Sequence, residues 1–395
     1  MKQLFKNAAF WRAYPTPTFT EGELLVEDGV VVAHGAPDTL PTDGADIIDL
    51  GGALVSPGLV DVHTHGRAGG DFTSADTEML SHMARSYLAS GTTTVMPTLA
   101  SAPLDDYVTA AERIAQTTDT EGGARWVGLH LEGRYLHPDK RGAHARELLA
   151  PLDGNELADL LCRMRYPLPM RLTAALETDA DGSFFDVADR LGIHLSLGHT
   201  TATYAQTSEL IGWGLQSLTH TFNAMPPLHH RDGGAVAALF DAAMQGRPVY
   251  GELICDGLHI SPEMIRLAYR QLGHNHTLLI TDSMAGAGCP DGHYTIAGLP
   301  VTVKDGRAVT SEGALAGSTL SLWQAVGNLA AFCDVPLAEA VKCATYNPAR
   351  LCGIEDEVGT LEVGARADML VIDAQRQTLL AVYLAGECCT EVAPK

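Results

Sequence analysis

The sequence has no run of about 18 apolar residues, the minimum for a membrane-crossing helix. Its amino terminus also lacks the charged segment, apolar stretch and cleavage site that mark a secretory leader. We therefore expect a cytoplasmic protein that does not enter a membrane.

Basic residues are scarce as well. The 395 residues include 26 lysines and arginines against 48 aspartates and glutamates, for a formal net charge of -22. Nucleic acids and anionic membranes bind basic surfaces that displace counterions, so neither is expected as the main partner. A small anionic substrate would need a local cationic pocket.

Paired cysteines are missing. The eight cysteines are scattered, without a CxxC pair or a dense framework. We expect them to be reduced thiols that neither bind metal nor form structural disulfides.

Eight short apolar runs rich in β-forming residues lie between residues 59 and 283, and each ends in polar or glycine-rich residues. They are LVDVHTHG (59–66), TTTVMPTLA (92–100), RWVGLHLEG (125–133), MRLTAALE (170–177), HLSLGHT (194–200), QSLTHTFN (216–223), VYGELICDG (249–257) and TLLITDS (277–283). The stretches between them have helical periodicity. In the first, from Ser74 to Ser90, apolar residues share one face and Gly91 follows as a stop. Strand and helix alternating eight times predict an α/β fold, a (β/α)8 TIM-type barrel.

The two ends of the chain differ from this central part. The pattern of residues 22–35 predicts a hairpin with a DG turn. The carboxyl-terminal part of the chain contains further short predicted strands, separated by a polar turn. We expect residues 1–56 and 356–395 to form one small β-sandwich domain, and residues 57–355 to form the barrel. A further hairpin, LPVTVKDGRAVT at 299–310, is predicted after the eighth strand.

Polar residues at the ends of the predicted strands are candidates for chemistry, because barrel active sites form at the carboxyl ends of the strands. Imidazoles and carboxylates recur there, at His63, His65, Glu132, His199, His220 and Asp282. The i, i+2 spacing of His63 and His65 places both rings on one side of an extended chain. Imidazole nitrogen and carboxylate oxygen are ligands of zinc and other divalent transition ions. The pattern therefore predicts a metal site at one barrel mouth.

Other polar residues carry less information. A single histidine is more often solvated or satisfied in the core than a ligand, and we treat His82, His274 and His276 as surface residues. Glu177 ends the fourth predicted strand. It could support the site indirectly or serve the local structure, and both alternatives stay open.

Several motifs together resemble the amidohydrolase superfamily and, within it, the N-acetylglucosamine-6-phosphate deacetylases. They are PGLVDVHTHG (57–66), HLEG (130–133), GHTTATY (198–204), THTFNAM (219–225), DGLH (256–259), TDSMAGAG (281–288) and LAGSTL (315–320). The segment 346–373 resembles the stretch with which amidohydrolases re-enter their small β-domain. The resemblance covers nearly the whole chain.

The resemblance implies a metal-dependent hydrolysis of the acetamide of an N-acetylated amino-sugar 6-phosphate. Glu132, His199 and His220 resemble the metal ligands, Asp282 resembles the catalytic acid/base, and His144 is a second catalytic candidate. Zinc is the expected ion, and His63 and His65 could hold a second one, with Glu132 bridging and Asp282 as a further contact. By the same resemblance the substrate pocket is lined by Ala143, His144, Asn223, Ala224, Arg231, Asp256, His259, Leu315, Ala316 and Gly317. The resemblance also implies a homodimer in which Arg231 reaches the neighbouring subunit's site.

One residue departs from the family pattern. The family usually has proline after HLEG, whereas this chain has Arg134. Arginine brings a charge and no fixed φ, so the loop could be looser and the pocket more cationic. Alternatively, Arg134 points to solvent or pairs with an acidic residue.

Three other functions remain open. An N-acetylgalactosamine-6-phosphate deacetylase would use the same chemistry with another hydroxyl contact. An amidohydrolase acting on a cyclic amide or another N-acyl compound would need no phosphate site. A non-catalytic sugar-phosphate sensor would not need Asp282 as a proton shuttle.

Overall fold

The computed structural model describes residues 1–166 and 169–391. Its strands are β1 Lys2–Arg12, β2 Thr18–Glu27, β3 Val30–Gly35, β4 Asp46–Pro57, β5 Leu59–Thr64, β6 Gly66–Arg67, β7 Gly70–Asp71, β8 Thr92–Ala100, β9 Arg125–Trp126, β10 Leu129–Glu132, β11 Met170–Ala174, β12 Ile193–Leu197, β13 Ser217–Leu218, β14 Tyr250–Ile254, β15 Thr277–Ile280, β16 Gly292–Ile296, β17 Leu299–Lys304, β18 Arg307–Thr310, β19 Met369–Ile372, β20 Leu379–Leu384 and β21 Glu387–Glu391. Its α-helices are α1 Thr77–Ala89, α2 Leu104–Gln116, α3 Gly154–Met164, α4 Ser183–Arg190, α5 Tyr204–Trp213, α6 Gly234–Met244, α7 Pro262–His276, α8 Leu322–Cys333, α9 Leu337–Cys343 and α10 Tyr346–Leu351.

Eight parallel strands form the predicted barrel. They follow the order β15-β14-β13-β12-β11-β10-β8-β5, with the short β9 also paired to β8. The first and last strands meet at their carboxyl ends, where the backbone N–H of Asp282 donates to the carbonyl of His63 at 2.9 Å. The N–H of His65 likewise donates to the carbonyl of Ser283 at 2.8 Å. Each of the eight apolar runs contributes one barrel strand, which confirms the TIM-type fold.

The first helix shows how the sequence specifies the outer ring. The side chain of Asp76 caps α1 by accepting from the N–H of Met79 at 2.8 Å. Leu80, Met83, Ala84, Tyr87 and Leu88 are buried against the barrel. After the helix, Gly91 has a φ of 88°, a left-handed conformation that glycine adopts without strain. The predicted face and stop are both confirmed.

The two ends of the chain form a separate seven-stranded sheet in the order β21-β20-β19-β4-β1-β2-β3. The rings of Phe5 on β1 and Tyr383 on β20 lie 5.4 Å apart between centroids, although two strands separate them in the sheet. Neighbouring strands are about 4.8 Å apart, so the sheet must curl strongly to bring these side chains together as in a sandwich. The domain boundaries at 56/57 and 355/356 stay a prediction, and residues 392–395 lie outside the described residues.

A small antiparallel sheet of β16, β17 and β18 follows the last barrel strand. The predicted hairpin at 299–310 is β17 and β18, whereas β16 was not predicted. A small core of its own, separate from the barrel core, consists of Met284, Ile296, Val301, Val303, Ala308 and Ala316. This sheet stands beside the carboxyl ends of the barrel strands.

Across residues 1–166 and 169–391, no helix has the length and apolar character that crossing a membrane requires.

Candidate metal centre and active site

A pocket of about 320 Å³ opens at the carboxyl ends of the barrel strands. It is lined by His65, Glu132, Asp139, Lys140, Gly142, Ala143, His144, His199, His220, Asn223, Ala224, His259, Asp282, Ile296, Leu315, Ala316 and Gly317. Most of the predicted site residues are therefore in one place. Asp139, Lys140, Gly142 and Ile296 were not predicted; the first three lie in the segment after β10, and Ile296 ends the unpredicted strand β16.

Three site residues share one backbone arrangement. His199, His220 and Asp282 each lie two residues beyond the end of a barrel strand, β12, β13 and β15 respectively. Their φ angles are 47°, 29° and 47°, in a region that residues other than glycine rarely adopt. Such strained positions are found at functional sites. Here the strained turn directs each side chain into the donor cluster around Glu132.

The first group of donor atoms has the spacing of metal ligands. Oε1 of Glu132 lies 3.4 Å from Nε2 of His199 and 3.0 Å from Nε2 of His220. The two Nε2 atoms are 3.0 Å apart. Ligands held about 2.0–2.2 Å from a tetrahedral zinc ion lie roughly 3.3 Å from one another. One divalent ion therefore fits among these three atoms.

The second group uses the paired histidines of the first barrel strand. Nε2 of His63 lies 3.4 Å from Oε1 of Glu132 and 3.6 Å from Oδ1 of Asp282. Nε2 of His65 lies 2.8 Å from Oε2 of Glu132 and 3.4 Å from the same Asp282 oxygen. One donor atom from each of these four buried residues lies within 4.8 Å of the others. Glu132 is common to both groups, as a bridging ligand would be.

Hydrogen bonds on the far side of the rings prepare two histidines to bind metal. Nδ1 of His199 donates to the carbonyl of Lys140 at 2.6 Å, and Nδ1 of His63 donates to the carboxylate of Glu252 at 2.9 Å. A neutral imidazole with a proton on Nδ1 presents a bare Nε2. The buried Nε2 of His63 and Oε1 of Glu132 have no hydrogen-bond partner among the described residues. A bound cation would satisfy both atoms.

The pKa shifts at the cluster arise from the close contacts between its buried carboxylates and histidines. Burial raises the pKa of Glu132, but the neighbouring histidines, His63 foremost, outweigh it and hold the pKa well below its usual range. Burial lowers the pKa of His65, but contacts with Asp282 and Glu132 outweigh it and raise the pKa to about 9. The cluster therefore attracts positive charge, which a divalent ion would supply.

Two buried charged residues beneath the cluster were missed in the sequence. Arg171 on β11 forms an ion pair with Glu252 on β14, and both side chains are fully buried. Glu252 also accepts from the backbone N–H of His220 at 3.1 Å. It thus holds parts of both ligand groups. The signal was present, because each residue is a charge inside an otherwise apolar predicted strand.

Asp282 and His144 face the pocket with defined protonation states. Burial raises the pKa of Asp282, but His65 and His63 outweigh it and lower the pKa, so the side chain is a carboxylate at neutral pH. Nδ1 of His144 accepts from the backbone N–H of Ser101 at 3.3 Å, which leaves the proton on Nε2. Burial lowers the pKa of His144 to about 4. The ring is thus a neutral donor whose Nε2 lies 3.6 Å from Oε2 of Glu132.

Two predicted substrate residues do not line the pocket. Asp256 instead accepts from Nδ1 of His259 at 2.7 Å and so orients that ring. Arg231 is exposed. Among the described residues its guanidinium has no ion pair, and Asp232 accepts from the N–H of Gly234 instead. Within its own chain Arg231 therefore does not reach the site.

Arg134 pairs with an acidic residue, as the second of its two predicted alternatives stated. Its guanidinium donates two hydrogen bonds of 2.7 Å to the carboxylate of Glu156. It does not line the pocket, so the expectation of a more cationic pocket is wrong. Its φ of 64° is also one that proline, fixed near −65°, does not adopt.

Glu177 holds the turn that follows His199. Its carboxylate accepts from the hydroxyl of Thr200 and the backbone N–H of Thr201, both at 2.6 Å. It does not line the pocket. Glu177 therefore stabilises the local structure next to the candidate ligand His199.

Comparison with known proteins agrees with the fold and the cluster. The amidohydrolase family model matches residues 54–389. The chain therefore belongs to the amidohydrolase family, a family of hydrolases.

Proteins similar to this chain over most of its length include sugar-phosphate deacetylases. The N-acetylglucosamine-6-phosphate deacetylase of Vibrio furnissii is 36% identical over 84% of this chain and 82% of its own length. The N-acetylgalactosamine-6-phosphate deacetylase of Escherichia coli O157:H7 is 34% identical over 89% of this chain and 90% of its own. The solved N-acetyl-D-glucosamine-6-phosphate deacetylase of Mycobacterium smegmatis, a variant in complex with N-acetyl-D-glucosamine-6-phosphate, superposes with a TM-score of 0.87. It is 32% identical and covers 98% of this chain and 99% of its own.

Proposed function

We propose that this protein hydrolyses the acetamide of N-acetyl-D-glucosamine 6-phosphate to D-glucosamine 6-phosphate and acetate, in amino-sugar catabolism. The observation that carries the proposal is the position of the Asp282 carboxylate and the neutral His144 ring beside the donor cluster around Glu132. Relatives named for this reaction support the choice of substrate.

Amide hydrolysis needs a better nucleophile than water and a more electrophilic carbonyl. A divalent ion, when bound, supplies both by acidifying water and polarising the carbonyl. Asp282 would accept the proton of the attacking water and return it to the leaving amine. His144 would donate from Nε2 to the carbonyl oxygen of the substrate. The oxygen of that water bonds to the carbonyl carbon, the C–N bond breaks, and acetate and the free amine leave.

The proposed ion is zinc, held by Glu132, His199 and His220. A second ion is proposed at His63 and His65, with Glu132 shared. The donor set of imidazole nitrogen and carboxylate oxygen suits zinc, and the bare Nε2 of His63 supports the second site.

The phosphate contacts are proposed to be shared between two subunits of a cytoplasmic homodimer. In one chain the pocket contains Asn223, Ala224 and His259 and a single lysine, Lys140. Arg231 is exposed and unpaired by any acidic residue of the described chain, which leaves it available to a neighbouring site.

The galacto epimer is the second candidate substrate, because one relative is named for it. Acetate release from N-acetylglucosamine and N-acetylgalactosamine, each with and without a 6-phosphate, separates the possibilities. Preference for a phosphorylated gluco sugar supports the proposal. Activity only on a cyclic amide or an unphosphorylated N-acyl compound would overturn it.

A further inference from the structure

A second cavity, of about 390 Å³, lies at the opposite end of the barrel from the metal cluster. Its floor contains residues at the amino-terminal ends of four barrel strands, namely His194, Gln216, Tyr250 and His276. Its wall comes from α9 and α10, which contribute Lys342, Tyr346, Asn347 and Arg350. Asn347 and Arg350 lie at the start of the segment 346–373, and the proposed reaction gives neither residue a role.

The charge of this cavity is opposite to that of the protein. The residues that line it include a lysine and an arginine but no aspartate or glutamate, in a chain with 48 acidic residues. A cavity in the small β-domain shows the contrast, because Glu21, Glu23, Asp38 and Asp49 line it. The second cavity is therefore a local cationic surface on an acidic protein.

Lys342 is a buried cation without an acidic partner. The residue is 4% exposed, and its Nζ donates to the side-chain oxygen of Asn275 at 2.6 Å. The Nζ also lies 5.3 Å and 5.8 Å from the ring centroids of Tyr14 and Tyr346. Among the described residues no carboxylate forms an ion pair with it. Burying an ammonium group is costly unless an anion accompanies it, and ring faces and one amide compensate only part of the charge.

Two further donors point to the same kind of ligand. The guanidinium of Arg350 is exposed and makes no ion pair within the described part of the chain. The side-chain amide of Gln216 donates to Nδ1 of His194 at 2.9 Å, which leaves the His194 proton on Nε2. An arginine fork, an ammonium and an imidazole N–H are the donors that recognise phosphate oxygens.

We propose that this cavity is a second binding site, for a small molecule that carries a phosphate group. The phosphate is either free inorganic phosphate or part of a phosphorylated sugar. Lys342 and Arg350 supply the charge, and His194 supplies a further hydrogen bond. The site is separate from the proposed active site and does not depend on its chemistry.

Equilibrium dialysis with inorganic phosphate, at constant ionic strength set with chloride, tests the proposal on the full-length protein. We expect Arg350→Ala to weaken or remove one class of phosphate site by ten-fold or more. Arg190→Ala, which removes another exposed arginine at the end of α4, should bind as the wild type does. Phosphate binding that is the same in the wild type, Arg350→Ala and Lys342→Gln overturns the proposal.

The same assay with glucosamine 6-phosphate identifies the source of the phosphate, and glucosamine is the comparison compound without a phosphate. If the Arg350-dependent site binds the sugar phosphate more tightly than inorganic phosphate, the ligand is a phosphorylated sugar. Equal affinity identifies free phosphate. Deacetylation kinetics of Arg350→Ala in phosphate-free buffer should match the wild type, whereas a loss of turnover together with unchanged phosphate binding would assign Arg350 to the fold instead and overturn the proposal.

Discussion

Glu252 accepts a hydrogen bond from Nδ1 of His63 at 2.9 Å while its other oxygen pairs with the buried guanidinium of Arg171. The pair lies inside the barrel, one layer below the candidate metal ligands. It therefore links the stability of the barrel interior to the orientation of the site.

Replacing Glu252 with glutamine should leave Arg171 buried without a counter-charge. Removing one partner of a buried ion pair costs about 3–5 kcal/mol. Urea unfolding of chelator-treated protein measures the free energy of unfolding. Glu177→Gln is the matched control, because that carboxylate accepts hydrogen bonds without an arginine partner. The decrease in the free energy of unfolding should be smaller in this variant. Equal losses in the two variants would contradict this account.

At least one divalent ion should remain with protein purified without added metal, held by Glu132, His199 and His220. Their three donor atoms lie 3.0–3.4 Å apart. Elemental analysis gives the ion and its stoichiometry, and His199→Ala should lower the metal content. Full acetate release by a stringently metal-free sample would refute the role of the ion.

Replacing both His63 and His65 with alanine should lower the metal content further if the second group is occupied. The measurement is metal per chain by elemental analysis, compared with the wild type. Unchanged stoichiometry would mean that this pair binds no metal.

Asp282→Asn should keep the fold and the Glu132, His199 and His220 ion but lose most turnover. Asparagine preserves the shape of the side chain and removes the proton acceptor, and general acid-base assistance is typically worth roughly 10²- to 10⁴-fold in rate. Steady-state acetate release measures the loss. Near-normal turnover would assign the proton shuttle to another group, with His144 next to be tested.

Arg231→Ala should raise the KM for the 6-phosphorylated substrate by about ten-fold or more, because a charge-assisted hydrogen bond is worth roughly 1.5–3 kcal/mol. The unphosphorylated sugar should be barely affected, and Arg190→Ala serves as the surface control. Equal losses on both sugars, or a strictly monomeric active enzyme, would rule out a site shared between subunits.

The barrel and its mouth were predictable because both depend on local sequence. Each barrel strand is a short apolar run, and polar residues such as His199 and Asp282 come two residues after a strand ends. The carboxyl ends of parallel strands necessarily meet at one mouth. The set of candidate ligands could therefore be assembled from chain order, whereas its division into two groups came from the family resemblance.

What could not be predicted depends on contacts between distant parts of the chain. The ion pair of Arg134 with Glu156 joins a loop to α3, and no sequence spacing indicates it. Lys140 enters the pocket because its loop folds back so that its carbonyl can accept from His199. The pairing of Arg171 with Glu252 spans 81 residues, so the sequence shows two unusual charges but not their relation.

The three-stranded sheet after the last barrel strand allows one wall of the pocket to be exchanged. Residues 284–317 contain a small core of their own, and Ile296, Leu315, Ala316 and Gly317 line the pocket. None of the candidate metal ligands lies in this segment. A chimera that carries the corresponding segment of a relative with another sugar preference would therefore alter substrate selectivity while leaving the ligand set intact. The fold thus places one wall of the pocket and the candidate metal ligands on separate segments of the chain.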